Sequence, residues 1–193
     1  MSEHMKSSGS ASTLGRDIVN KFPEVQANPL EGNRIELVMP ADKIRAIVAL
    51  LDESVSDFLP ESMFAVDLEN DQYELIYIFW SHSNKLLCQL RVPIEGEAPE
   101  VESVSDIYPG FEWHERETHE MFGIGFSGHP DLRLLLLPEE LEGKYPLRKS
   151  FQTDRSRLEE SGLPQPKPKP PAAERPARPT PSTTPKEGGE SPE

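Results

Sequence analysis

The stretch MFAVDLENDQYELIYIFWSHSNKLLCQLRVPI, residues 63–94, decides the fold. Met63–Leu68 runs into Asn70-Asp71, a turn-forming pair, and Tyr73–Ser81 (YELIYIFWS) is rich in aromatic and β-branched residues. Ser83-Asn84 turns the chain into Lys85–Ile94 (KLLCQLRVPI). Three consecutive runs of this kind predict an antiparallel meander. Upstream, Pro40-Ala41-Asp42 opens an amphipathic helix with Ile44, Ile47, Val48 and Leu51 on one face. Before it, Arg34–Met39 alternates polar and apolar residues as a half-buried strand does. Thr13 is placed to cap a short helix running to about Lys21, ended by Phe22-Pro23.

Downstream of the meander, Glu97–Glu100 reads as an acidic, Pro-containing loop. Phe111–Phe122 (FEWHERETHEMF) is a second clear helix, stopped by Gly123. Beyond it, Gly and Pro recur, and Leu134–Leu137 fits either a buried strand or a short extended segment. The order β, α, several strands, α predicts an α+β domain with helices packed on an antiparallel or mixed sheet.

Between Pro164 and Glu193, 10 of 30 residues are proline and no large apolar residue occurs. Such a segment buries too little surface to offset its ordering entropy, so it is expected to be disordered or polyproline-like. The expected organisation is a flexible start at 1–12, a domain at 13–155 and a Pro-rich tail at 156–193. Basic and acidic residues balance from Ser156 onward, so the net charge of −14 resides in residues 1–155. That sign opposes nucleic acid and anionic lipid, which both require a cationic footprint. It suits a basic partner surface, or simply solubility.

The single cysteine, Cys88, excludes an intramolecular disulfide or a cluster held by this chain's thiols alone. It lies inside an apolar strand and is expected to be an inert core thiol. Residues 1–15 lack the apolar core of a secretory signal. No apolar run approaches the roughly 20 residues that span a bilayer. Membrane association is therefore expected only through partners.

His114-Glu115-Arg116-Glu117-Thr118-His119 invites a metalloprotease reading. A zincin helix needs histidines four apart, so that both meet one metal from one face. Here they are five apart. The di-iron pairing of Glu with His three residues later fails as well, because Arg116 holds that position. Helical spacing instead predicts ion pairs Glu112–Arg116, Arg116–Glu120 and Glu115–His119. Trp113, Met121 and Phe122 make the helix too apolar for free exposure, which predicts a polar, partly buried interface. No Gly-rich phosphate loop and no nucleophile elbow occurs.

Trp113–Phe151 resembles the family of the 30-kilodalton (C-type) subunit of NADH–quinone oxidoreductase, respiratory complex I. The resemblance is carried by Glu115-Arg116-Glu117, Glu120-Met121-Phe122, His129, Arg133 and the pair Leu135-Leu136. A second block, Pro146-Leu147-Arg148-Lys149 with Phe151, follows in the right order. The resemblance implies a small domain in the hydrophilic arm, on the cytoplasmic side of the membrane and peripheral to it. It implies no catalytic, metal or cofactor residue in this chain. Iron–sulfur clusters and quinone would belong to the neighbours: a large hydrogenase-like, 49-kDa-type subunit and an iron–sulfur subunit. Trp113, Glu115, Arg116, Glu117, Glu120, His129, Asp131 and Arg133 would contact the large subunit or support that contact. Pro146, Arg148 and Lys149 would anchor the segment leaving the domain, an arginine being suited because its planar fork can hold two carboxylates.

Two departures concern the substrate. Thr118-His119, and Leu134–Leu137 followed by Pro138-Glu139-Glu140, look more like relatives in F420H2 dehydrogenases and membrane-bound [NiFe] hydrogenases. The leading expectation is thus a non-catalytic scaffold subunit of an ion-translocating oxidoreductase, with the hydrogenase subunit as the alternative. A freestanding metal-dependent hydrolase using His114, Glu115, His119 and His129 is the competitor from another class. A third reading is an acidic binding module whose tail, with Pro168–Pro171, recruits SH3-like partners.

Overall fold

The computed structural model describes residues 11–152. The expected Pro-rich tail, and all but the last two residues of the expected flexible start, lie outside the described residues. Ala11 and Ser12 are helical.

A five-stranded mixed sheet is built from β1 (Gln26–Leu30), β2 (Arg34–Val38), β3 (Phe58–Glu69), β4 (Gln72–Ser81) and β5 (Leu86–Glu95). Its spatial order is β1-β2-β5-β4-β3. The meander is β3–β5, antiparallel throughout, with Tyr77 opposite Met63 on one side and Leu90 on the other. After the β1–β2 hairpin, helix α2 (Ile44–Ser54) carries the chain across the sheet to its far edge. The meander then returns until β5 lies beside β2, and these two strands pair in parallel.

Burial explains α2. Ile44, Ile47, Val48 and Leu51, the predicted face, are fully buried, and each such side chain contributes about 1.5–3 kcal/mol. Helix α1 (Ala11–Lys21) covers the β1–β2 end, and Thr13, the expected cap, lies inside it. The Ala11 N–H donates to Oδ1 of Asn33 in the hairpin at 2.8 Å, which ties the helix to the sheet. Gly15 permits the close approach, since a Cβ there would sit 2.5 Å from Ile35 Cδ1.

Two features of the five-stranded sheet escape the periodicity reading. β1 (QANPL) is an exposed edge strand containing Pro29, so no alternation marks it. β3 begins five residues before the expected Met63, because Pro60 and an irregular register between Pro60 and Ser62 interrupt the pattern. The turn at Asn70-Asp71 is as expected, with Glu69, Asn70 and Asp71 all at positive φ.

Helix α3 (Glu112–Phe122) is entered through a short 3-10 turn, Pro109–Phe111. Phe111 is fully buried and meets Phe79 and Tyr77 edge-on, with ring centroids 5.1 and 5.3 Å apart. This aromatic cluster ties the start of α3 to the middle of the sheet. Strand β6 (Glu100–Glu102), α3 and β7 (Gly125–Ser127) form a small unit in which β6 and β7 pair in parallel.

Candidate docking site around helix α3

The ion pairs expected along α3 do not describe how its charges are used. Glu115 is fully buried. Its carboxyl accepts from the Ser103 hydroxyl at 2.5 Å and the Val104 N–H at 2.9 Å, joining α3 to the segment after β6. Burial pushes its pKa upward against the lowering effect of those two donors. The neighbouring Tyr77 hydroxyl is buried and has no hydrogen-bond partner among the described residues. Its pKa is raised well above the ordinary value, by burial first and by the Glu115 carboxyl second.

Arg116 and Glu120 turn toward the loop 129–137. Arg116 donates from Nε to the Arg133 carbonyl and from Nη2 to the Leu134 carbonyl at 2.5 Å. Its Nη1 lies 3.5 Å from Asp131 Oδ2. Glu120, also buried, accepts the successive N–H groups of Leu135 at 3.1 Å, Leu136 at 3.0 Å and Leu137. The carboxylate thus fills a backbone nest. Leu134–Leu137 is therefore a bent segment curled around the Glu120 carboxylate and not a strand.

The histidines serve the same strap. His129 Nδ1 accepts the Asp131 N–H at 3.0 Å, so its Nε2–H donates to the Glu112 carbonyl at 2.9 Å. Asp131 is bound by the Arg133 guanidinium, which holds its pKa well below the carboxylate range, helped by the Arg133 N–H and by Arg116. His114 and His119 bond the Gly110 and Ile124 carbonyls. The four residues of the hydrolase reading thus do not converge. Among the described residues no group of three or more His, Cys, Asp or Glu is arranged to hold a metal ion.

The second motif block closes the other end of α3, whose last carbonyls have no helical donor. Leu147 N–H reaches the Met121 carbonyl at 3.2 Å, and Arg148 Nε reaches the Phe122 carbonyl at 2.6 Å. The Arg148 guanidinium also bonds the Glu97 carbonyl at 3.0 Å and lies over the Tyr145 ring at 4.6 Å. Lys149 pairs with Glu69 at 3.0 Å, its N–H taken by Asp67. Pro146 is half-buried.

Gly123 makes this closure possible. Its φ is +71°, and a Cβ would meet the Tyr145 ring at 2.6 Å. Gly123→Ala is expected to lower stability by about 2 kcal/mol, from left-handed backbone strain and the ring clash. Denaturant unfolding checks it, and a loss of only about 1 kcal/mol, the backbone strain alone, would show that Tyr145 can step aside.

What remains outward is apolar and charged together. Trp113 is 67% exposed, and Glu117 is exposed one turn later. Leu136 and Leu147 are also exposed, as is Arg133. Between α3 and β3 lies a shallow depression of about 110 Å³ whose lining includes Phe64, Glu117, Met121 and Leu147.

The profile of the family described as the 30-Kd subunit of the respiratory-chain NADH dehydrogenase matches residues 37–157. The chain belongs to this family. Among its relatives, the C-type subunit of the F(420)H(2) dehydrogenase of Methanosarcina mazei is 32% identical over 145 residues, 74% of this chain and 92% of that one. The C-type subunit of the NADH-quinone oxidoreductase of Moorella thermoacetica is 31% identical over 139 residues, 71% of this chain and 92% of that one. A subunit in the structure of the membrane-bound sulfane sulfur reductase, an archaeal respiratory membrane complex, superposes with a TM-score of 0.70. That match has 26% identity and covers 82% of this chain and 97% of the other.

Both blocks that carry the family resemblance thus belong to one device. The first immobilises the 129–137 loop on α3, and the second caps the end of that helix. Ser103 and Val104, the partners of Glu115, lie outside both blocks. Their Ser-x-Ser spacing with Ser105, whose N–H and hydroxyl both bond the Ser103 hydroxyl, is the trace they leave in the sequence.

Proposed function

We propose that this chain is a non-catalytic subunit of a complex I-like, ion-translocating oxidoreductase, working by holding its electron-carrying neighbours in place. The observation that carries the reading is the use of the motif residues. Glu115, Arg116, Glu120, His129 and Asp131 are spent inside the chain on rigidifying α3 and its loop, which leaves Trp113, Glu117, Arg133 and Leu136 presented on a stiff support. A pre-ordered surface loses little entropy on docking. The partners in this reading are the large 49-kDa-type subunit and the iron–sulfur subunit, which hold the clusters and the quinone site. This chain contributes no cofactor and reaches the cytoplasmic face of the membrane through them. No helix among the described residues is long and apolar enough to cross a membrane, and this fits attachment through other subunits.

The names of the relatives span NADH–quinone and F(420)H(2) enzymes, and the superposed subunit comes from a sulfane sulfur reductase. A docking role is compatible with each, and with the membrane-bound [NiFe] hydrogenase alternative, because none of the residues in the strap handles a donor or acceptor. The test is affinity purification of the tagged full chain from native membranes. Trp113→Ala should weaken recovery of the two partner subunits, an exposed interface tryptophan contributing about 2 kcal/mol or more, while leaving the melting temperature of the free chain unchanged. Recovery of the wild-type chain alone would overturn the proposal.

A further inference from the structure

The helices fill only one face of the sheet. On that face β4 buries Tyr73, Leu75, Tyr77 and Phe79. The opposite face of the same strand carries Ile76, Ile78 and Trp80, all partly exposed. Leu59 stands opposite Trp80, and Phe64 opposite Ile76. These two are 52% and 42% exposed. Leu87 flanks Trp80 on the other side. An antiparallel sheet with one wet face alternates apolar and polar residues. YELIYIFWS does not alternate: it is apolar toward both faces, and among the described residues nothing covers the second one.

The charges on that face are already arranged for burial. Arg91 donates to both oxygens of Glu74, at 3.0 and 2.9 Å, and to Glu36 at 3.1 Å. The other Glu36 oxygen accepts from Asn28 at 3.1 Å. The Glu74 and Glu36 side chains are only 11% and 17% exposed. A pre-paired, hydrogen-bonded cluster costs far less to desolvate than lone charges. One guanidinium against two carboxylates still leaves one negative charge. Arg34, farther along β2, is turned to the Glu31 carbonyl.

We propose that this open sheet face is a second protein-docking surface, distinct from the one on α3, with Phe64 at the border between them. Its occupant is a partner polypeptide presenting an apolar ridge with a lysine or arginine set against the Glu36–Glu74 pair. A second copy of the chain is disfavoured, because two chains of net charge −14 repel and would bring two negative clusters together.

The chain's two tryptophans separate the surfaces: Trp113 reports α3 and Trp80 reports the sheet. Hydroxyl-radical footprinting is carried out on the purified full chain and on the same chain recovered with its partners from native membranes. The expected result is that Trp80 and Leu59 are oxidised in the free monomer and lose that oxidation in the recovered assembly. Equal oxidation of Trp80 in both samples overturns the proposal, even if Trp113 becomes protected. Protection of Trp80 already in the dilute monomer overturns it by showing that the chain covers its own sheet. Protection that tracks self-association overturns it in favour of a second copy. Protection of Trp80 with Trp113 still oxidised would support this surface and count against the one on α3.

Discussion

Glu115→Ala is expected to destabilise the full chain by on the order of 4 kcal/mol, from two buried donors that lose their acceptor and the cavity left by the side chain. The substitution strands the Val104 N–H and takes from the Ser103 hydroxyl its acceptor on α3, inside a fully buried site. Glu115→Gln should recover most of the loss, since its carbonyl can accept from Val104 and its amide can bond Ser103 after the hydroxyl rotates. The pH dependence is the sharper measurement. The folded chain holds the Glu115 proton more tightly than the unfolded chain does, chiefly because burial penalises the charged form. Its contribution is therefore fully favourable below the ordinary glutamate range and is lost as pH rises through the raised value. Glu115→Gln cannot ionise, so the melting temperature of the wild type relative to that variant should fall over this window and then level off. A constant difference from about pH 4 to about pH 8 would show that Glu115 titrates alike in both states.

Glu120→Ala should cost about 3 kcal/mol, because charge-assisted bonds to three consecutive N–H groups disappear together. The loss should be local in a way that Glu115→Ala is not. Once freed, the N–H groups of Leu135–Leu137 become open to water, so their hydrogen exchange should accelerate while the β4 and β5 amides stay protected. Uniform acceleration across the sheet would mean that the strap and the core unfold as one unit. In the assembled state the same variant should weaken partner recovery, since Leu136 and Arg133 would no longer be held in one arrangement.

The parts of this architecture legible in the sequence are those with local causes. The α2 stripe and the meander follow from side-chain periodicity, which needs no knowledge of distant residues. β1 stays hidden because an exposed edge strand with a proline has no periodicity to show. The charges of α3 mislead for a related reason. Spacing of four residues marks who could meet along a helix, but Arg116 and Glu120 find better partners in backbone groups 15 to 18 residues away. Carbonyls and amides carry no sequence signature, so a strap made from them is invisible until the chain is folded. The motif blocks are legible as a resemblance, and their physical task emerges only from what each side chain touches.

The parallel pairing of β2 with β5 has a consequence for biogenesis. As the polypeptide leaves the ribosome, the first hairpin emerges with one flank of β2 bare, and its permanent neighbour is still more than forty residues from being translated. The meander, whose contacts are close in sequence, can zip early. The hairpin has to wait and then be captured by β5 as the last strand delivered. In that interval the bare flank is a template for stray strand pairing, so slowing translation within α2 or β3 should increase aggregation of the nascent chain.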